Sequence, residues 1–215
     1  MNLKSILGAT AIAVGLLGAA VPANAAFILT TGNDGGGSVD NVVFNPCGLG
    51  NQLPGTTVQG CLQGDTSRLV NFTSSSTLVA DGGQASITGL NGAAFHDLTI
   101  ALAPPQAGYT RLVFNIDAIA GSGQTGITFN LTGTGTPTQF QSTLGQNGSN
   151  FFTFTATDGD IIQSVSFTTL ANVNAVGDVA QVRIAAVPVP EPMSLALFGA
   201  GLLGLGMVKR RKQEA

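Results

Sequence analysis

The chain has 215 residues, enough for one domain plus processing segments at roughly 100–200 residues per domain, and too few for two of full size. Charged residues make up 9% of it and Gly supplies 30 positions, against about 25% and about 7% in ordinary soluble chains, which excludes a coiled coil, a charged disordered tail and a basic nucleic-acid binder; the lack of a strict Gly-X-Y period excludes collagen. A hydrophobic share of 44% supplies core material, and a mean hydropathy of +0.35 calls for a membrane segment somewhere.

In chain order, Lys4 precedes an apolar run from Ile6 to Val21, followed by Pro22-Ala23-Asn24-Ala25-Ala26. One positive charge, an apolar stretch and the small-x-small site at Ala23 and Ala25 predict a secretory signal peptide over 1–25, cut by signal peptidase after Ala25. The alternative, a retained anchor, lacks stop-transfer charges after the run. Residues 26–187 then hold three Arg (Arg68, Arg111, Arg183) against nine Asp, with no Lys and no Glu. The exported domain is thus more acidic than the whole-chain charge of −3 suggests, and nothing in it neutralises a phosphate track, so nucleic acid is excluded as a partner.

Periodicity within 26–187 is β throughout. Residues 110–118 alternate Leu112, Phe114 and Ile116 against polar neighbours, and 161–169 and 179–187 behave similarly. Further strands are expected at 27–30, 40–44, 68–73, 76–80, 84–88, 95–102, 126–132, 138–143 and 150–157. Asp81-Gly82, Asn91-Gly92, Asn147-Gly148 and Asp158-Gly159 tolerate the positive φ of tight turns. Many short strands, regular turns and no sequence repeat predict an all-β antiparallel β-sandwich, jelly-roll-like, over 26–187.

Cys47 and Cys61, the only cysteines, enclose the Gly- and Pro-rich segment GLGNQLPGTTVQG in an exported chain. A disulfide closing this loop is expected; two reduced thiols or a metal pair are the alternatives, and no other soft ligand stands nearby. Asn33-Asp34-Gly35-Gly36-Gly37 with Asp40, and Asp158 with Asp160, offer oxygen ligands suited to Ca²⁺, although an Asx/Gly loop and a turn explain the same residues. Two Asp would also have to serve any glycoside hydrolysis, since the domain has no Glu.

His96 is the only histidine, which removes His-rich zinc sites and H-E-x-x-H proteases. It shares strand parity with Leu98, Ile100 and Leu102, so it is expected to cap an apolar face, and no G-x-S-x-G elbow gives it a nucleophile. Asp97 and Asp117 are candidates for pairing with Arg111. Residues 121–126 fit G-x-G-x-x-G, but the motif joins two expected strands and opens no helix, so it reads as a hairpin loop. With no Trp and a single Tyr, Tyr109, the aromatic platforms of carbohydrate recognition are missing; Phe114, Phe129 and Phe152 read as core. A cleft of Asn, Gln and Asp remains able to bind polysaccharide. The N-x-S/T matches at Asn71, Asn130 and Asn147 are the chance matches expected of a Thr/Ser/Asn-rich chain.

The C-terminus carries Val189-Pro190-Glu191-Pro192, then Met193 to Val208 without a charge, then Lys209-Arg210-Arg211-Lys212. A helix over 193–208 would be about 24 Å long at 1.5 Å per residue, slightly short of a roughly 30 Å hydrocarbon core, a deficit that snorkelling or thinning absorbs. The basic tail 209–212 keeps that end cytoplasmic.

These three parts, in this order behind a signal peptide, resemble the PEP-CTERM sorting signal of secreted bacterial proteins over residues 188–215. The resemblance implies handling by an exosortase, a membrane-embedded cysteine peptidase or transpeptidase, at or near Pro190-Glu191-Pro192. It implies a Gram-negative host that makes exopolysaccharide, transient residence in the inner membrane, and a destination at the cell surface or in the matrix. Independently, three prolines hold the segment extended outside the bilayer, the backbone form a protease accepts. The domain between is expected to be a non-catalytic structural or interaction module without cofactor. Its alternatives are a carbohydrate- or calcium-binding module of the exopolysaccharide matrix and, last, a secreted hydrolase.

Overall fold

A computed structural model describes residues 27–33, 38–45, 47, 53–81, 86–104, 108–119, 125–134, 136–145, 150–169 and 176–187. The predicted signal peptide and the whole segment from 188 onward, with its predicted span 193–208, lie outside them. Among the described residues no helix is long and apolar enough to cross a membrane.

The fold is all-β: β1 (Phe27–Thr31), β2 (Asp40–Val43), β3 (Gly55–Leu62), β4 (Leu69–Asp81), β5 (Ser86–Gly89), β6 (Asp97–Leu102), β7 (Tyr109–Ala118), β8 (Thr125–Gly133), β9 (Thr138–Leu144), β10 (Asn150–Ala156), β11 (Ile162–Thr169) and β12 (Val176–Ala186), with one 3-10 turn at Leu90–Gly92. Every pairing is antiparallel, and the strands run in the order β1-β10-β7-β12-β2-β3-β4-β6-β11-β8-β9, with β5 bridging β4 and β12. A further pairing of Tyr109 with Ile162 joins β7 to β11. It closes seven strands into a barrel-like ring, from which β10-β1 and β8-β9 extend as two facing flaps. The expected antiparallel β-sandwich is therefore present.

Strand alternation drives this arrangement. Leu112, Phe114 and Ile116 of β7, Phe152 and Phe154 of β10, Phe129 and Leu131 of β8, and Val165 and Phe167 of β11 are all buried. Phe114 lies 6.0–6.4 Å, ring centre to ring centre, from Phe129, Phe152, Phe154 and Phe167, so rings from both layers meet on one side chain. Tyr109 is buried as well, its hydroxyl donating to Ile100 O at 3.0 Å. Burial pushes its phenol above the ordinary tyrosine range. It is a core residue with one satisfied polar tip.

Two expectations change. The loop expected between the cysteines contains a strand, β3, whose Val58, Cys61 and Leu62 are buried. Its Gly60 is demanded by packing: a Cβ there would stand 2.9 Å from Val42 Cγ1 and 3.2 Å from Phe44 Cε1. The strands expected at 68–73 and 76–80 are one strand, β4, which pairs with β3 and β6 through Thr73, meets β3 again at Leu78 opposite Gly55, and pairs with β5 from Leu78. Between these stretches side chains take over from the ladder: Ser75 N donates to Asp97 Oδ2 at 2.8 Å and Ser76 N to Ser74 Oγ at 3.1 Å. Two of the turn dipeptides are in the described residues, with Asn91, Gly92, Asp158 and Gly159 all at positive φ as tight turns require; the glycine of each of the other two lies outside them.

Candidate functional site

Outward residues of β3, β4, β6, β11, β8 and β9 form one continuous face. Register places Gln59, Asn71, Ala101, Ser164 and Thr132 in one row across the sheet. Thr57, Thr73, Thr99, Ser166, Asn130 and Gln139 form the next. Asp97, Thr168, Thr128 and Gln141 form a third, and Gly126 with Thr143 begins a fourth. Alternation sends Phe72, Leu98, Phe129, Leu131, Val165 and Phe167 inward from the same strands. The outward face is hydroxyl and amide, with Asp97 the single charge in these rows.

Hydrogen bonds lace much of this face together. Gln59 Nε2 donates to Asn71 Oδ1 at 2.7 Å, Thr57 and Thr73 hydroxyls lie 3.1 Å apart, Thr132 and Ser164 hydroxyls 2.7 Å apart, and Gln139 Nε2 donates to Asn130 Oδ1 at 2.9 Å. Asp97 accepts from both the backbone N and the hydroxyl of Ser75. A groove of about 610 Å³ opens at the Gly126 end of the face, lined by Thr128, Gln141, Thr143 and Thr168. A second, of about 600 Å³, lies beside Asp40, Asp65, Arg68 and the end of β12.

The second groove holds its charges in internal partnerships. Arg68 Nε is 3.2 Å from Asp65 Oδ2. Ser67 donates to Asp65 Oδ1 from its hydroxyl at 2.6 Å and its backbone at 3.2 Å, and these bonds, with Arg68, hold the Asp65 carboxyl below the ordinary carboxylate range. Asp40 Oδ2 accepts from Gly64 N at 2.7 Å.

The described oxygen-ligand candidates each have hydrogen-bond partners within the chain. Asp40 sits in that groove, whereas Asp160 Oδ1 accepts from Thr134 Oγ1 at 3.0 Å and Asp158 Oδ2 from Thr157 Oγ1 at 3.2 Å. Asp34 lies outside the described residues. Among the described residues no three His, Cys, Asp or Glu side chains gather as a metal site would require. Cys47 and Cys61 form a disulfide with Cα atoms 5.5 Å apart.

His96 departs from its expected place. Phe95 takes the core position and bridges to Val176, while His96 is half-buried with Nδ1 3.1 Å from Thr169 Oγ1. β6 begins at Asp97, two residues after the expected start, so His96 precedes the regular alternation of Leu98, Ile100 and Leu102 and is not held on their apolar face. Asp97 serves Ser75, and Asp117 accepts from Asn115 Nδ2 at 3.3 Å. The 121–126 motif runs into the start of β8, and only its Thr125 and Gly126 are among the described residues. Sequence reasoning missed Gly126, Thr128, Gln141, Thr143 and Thr168 as a group; the alternation of Thr128 and Asn130 against Ile127 and Phe129 was the available signal. The sorting residues Val189, Pro190, Glu191, Pro192 and Lys209, Arg210, Arg211, Lys212, and the cleavage-site Ala23 and Ala25, lie outside the described residues.

Comparison with known proteins gives three findings. Residues 188–212 match the model of the PEP-CTERM protein-sorting motif. No curated protein matches the chain. A solved structure of a mutant family 29 carbohydrate-binding module, CBM29-2, is similar at 14% identity over 74% of this chain and 89% of that one, with a TM-score of 0.31.

Proposed function

We propose that this chain is an exported protein sorted by an exosortase, with residues 26–187 acting as a non-catalytic structural or interaction module at the cell surface or in the extracellular matrix. The match of residues 188–212 to the PEP-CTERM motif carries the reading. In it, the signal peptide 1–25 directs export and the helix 193–208 with its basic tail holds the product in the inner membrane. The exosortase then acts at Pro190-Glu191-Pro192 and releases or transfers the β domain.

Replacing Pro190-Glu191-Pro192 with three alanines in the native host tests this. The variant is expected to stay in the inner membrane at the mass of the uncut chain, while the parent reaches the surface or medium as a shorter species. Unchanged mass and unchanged location by fractionation and mass spectrometry would overturn the processing step.

A second reading of the domain, as a carbohydrate-binding module of the exopolysaccharide matrix, is favoured by the broad outward face of hydroxyls and amides. Such groups exchange hydrogen bonds with water for hydrogen bonds with a polyol at little net cost.

A further inference from the structure

The polar face differs from one end to the other in how its groups are satisfied. In the rows through Asn71 and Asn130 neighbouring side chains largely bond one another, as Gln59 does with Asn71, Thr132 with Ser164 and Gln139 with Asn130. Around the first groove Thr169 meets His96, but the outward side chains do not bond one another. Thr128, Gln141, Thr143 and Thr168 line it, and among the described residues none of the four side chains is engaged by another group of the chain, so their donors and acceptors face solvent together.

Gly126 is what makes the depression. It stands opposite Thr143 in the β8–β9 register, on the same side of β8 as Thr128, where a side chain would otherwise continue the row. A Cβ built there meets nothing within 4 Å, so the missing side chain leaves open space. The resulting volume of about 610 Å³ lies within the roughly 300–1,000 Å³ of small-molecule sites.

We propose that the Gly126 groove binds a segment of neutral polysaccharide, through the hydroxyls of Thr128, Thr143 and Thr168 and the amide of Gln141. This rests on the reading of the sandwich as a carbohydrate-binding module. The ligand class follows from the lining. Hydroxyls and an amide both donate and accept, as sugar hydroxyls do, and threonine methyls present small apolar patches to sugar C–H faces. Among the described residues no cation lines the groove, Arg68 is engaged by Asp65, and Arg183 reaches Asn33 and Gln181; a polyuronate would have no counter-charge from them there. The groove is open to solvent, so a polymer segment can enter it, and the absence of an aromatic platform among its lining residues sets the affinity at the weak end of such sites.

The test is native affinity electrophoresis of the full-length chain, in a detergent without a sugar headgroup, through gels containing galactomannan, xyloglucan, dextran or alginate. The parent is expected to be retarded by at least one neutral polymer and not by alginate. Gly126→Leu fills the groove at a position with ordinary backbone conformation, and should lose retardation with a melting temperature no lower than the parent. Thr128→Val combined with Thr168→Val keeps the shape and removes two hydroxyls, and should weaken binding about four- to a hundredfold, at roughly two- to tenfold per hydrogen bond. The double variant decides the matter should Gly126→Leu misfold. Retardation by neutral polymers that both folded variants retain would overturn the groove while leaving the carbohydrate-binding reading in place. No retardation of the parent by any neutral polymer would overturn both, and equal retardation by alginate would overturn the neutral ligand class.

Discussion

Asp178 of β12 stands opposite Asp117 of β7 in the ladder, a like-charged cross-strand pair in a domain with few cations to offset it. Its Oδ1 accepts from Ser86 Oγ at 3.0 Å and Ile87 N at 3.2 Å. Burial, together with the Asp117 charge, nevertheless pushes its carboxyl above the ordinary 3.8. Between that unfolded-state value and the raised folded value the native state binds more protons than the unfolded one, so stability falls as pH rises through this window. Asp178→Asn keeps the acceptor oxygen and removes the charge. It is expected to stabilise the domain at pH 7 by about 0.2–1 kcal/mol, the range of a cross-strand pair, with the gain vanishing below about pH 4. Urea unfolding of parent and variant at pH 7 and pH 3.5 reads both; a variant no more stable than the parent at pH 7 would count against the like-charge account. Three residues on, Gln181 adopts φ 54 where β12 slips register against β7 between Ala180 and Arg183. The extra residue is a β-bulge, and it falls where β12 changes its other neighbour from β5 to β2. Glutamine carries no left-handed signature, so the apolar spacing of Val179, Val182 and Ile184 was visible in the sequence while the bulge that produces it was not.

At the scale of elements, alternation located most strands to within a residue or two, because half-buried strands must send every second side chain inward. It failed where a strand was built on contacts that leave no pattern. β3 carries Gly55 and Gly60, which read as loop residues, yet Gly60 is present so that Val42 and Phe44 can approach its backbone. The sequence pattern divides β4 between Thr73 and Ser76 because the apolar period stops there. The ladder with β3 is interrupted at that point, Thr57 pairing with Thr73 and Gly55 with Leu78, and Asp97 and Ser74 side chains satisfy the backbone instead. The polar groove was legible as alternation on β8 but not as a site, since its residues come from β8, β9 and β11 and only register brings them together. The disulfide, by contrast, followed from cysteine count and export alone. It links Cys47 to Cys61 across a sequence separation of 14 and ties the segment just after β2 to the end of β3, where Val43 is the ladder partner of Cys61. Reducing it, or replacing both cysteines with alanine, should cost about 3 kcal/mol by loop entropy. The check is the midpoint shift in guanidinium unfolding with and without reductant; an unchanged midpoint would mean that β2 and β3 hold this loop without the covalent tie.

For the molecule as a whole, the strand order puts chain-distant segments side by side: β1 beside β10, β7 beside β12, β6 beside β11. Only β2-β3, β3-β4, β4-β5 and β8-β9 among the ladders join sequential strands, so no large subset of the chain closes its own core. The ring cluster makes this dependence concrete. Phe114 comes from β7 and Phe152 and Phe154 from β10, while Phe129 and Phe167 reach it from β8 and β11, the other layer of the sandwich. Removing that ring takes partners from both layers at once and leaves a cavity that neither β-flap can fill alone. Phe114→Ala is therefore expected to cost about 3–5 kcal/mol, a large part of a total stability on the order of 5–15 kcal/mol. The melting temperature should fall by roughly 6–20 °C, at about 2–4 °C per kcal/mol for a domain of this size. Because the cluster is shared, calorimetry should still show one transition, with van't Hoff and calorimetric enthalpies in agreement. Two resolved transitions in the variant would show instead that the seven-strand ring and the two flaps unfold as separate units, which would remove Phe114 from its place as the common point of both layers.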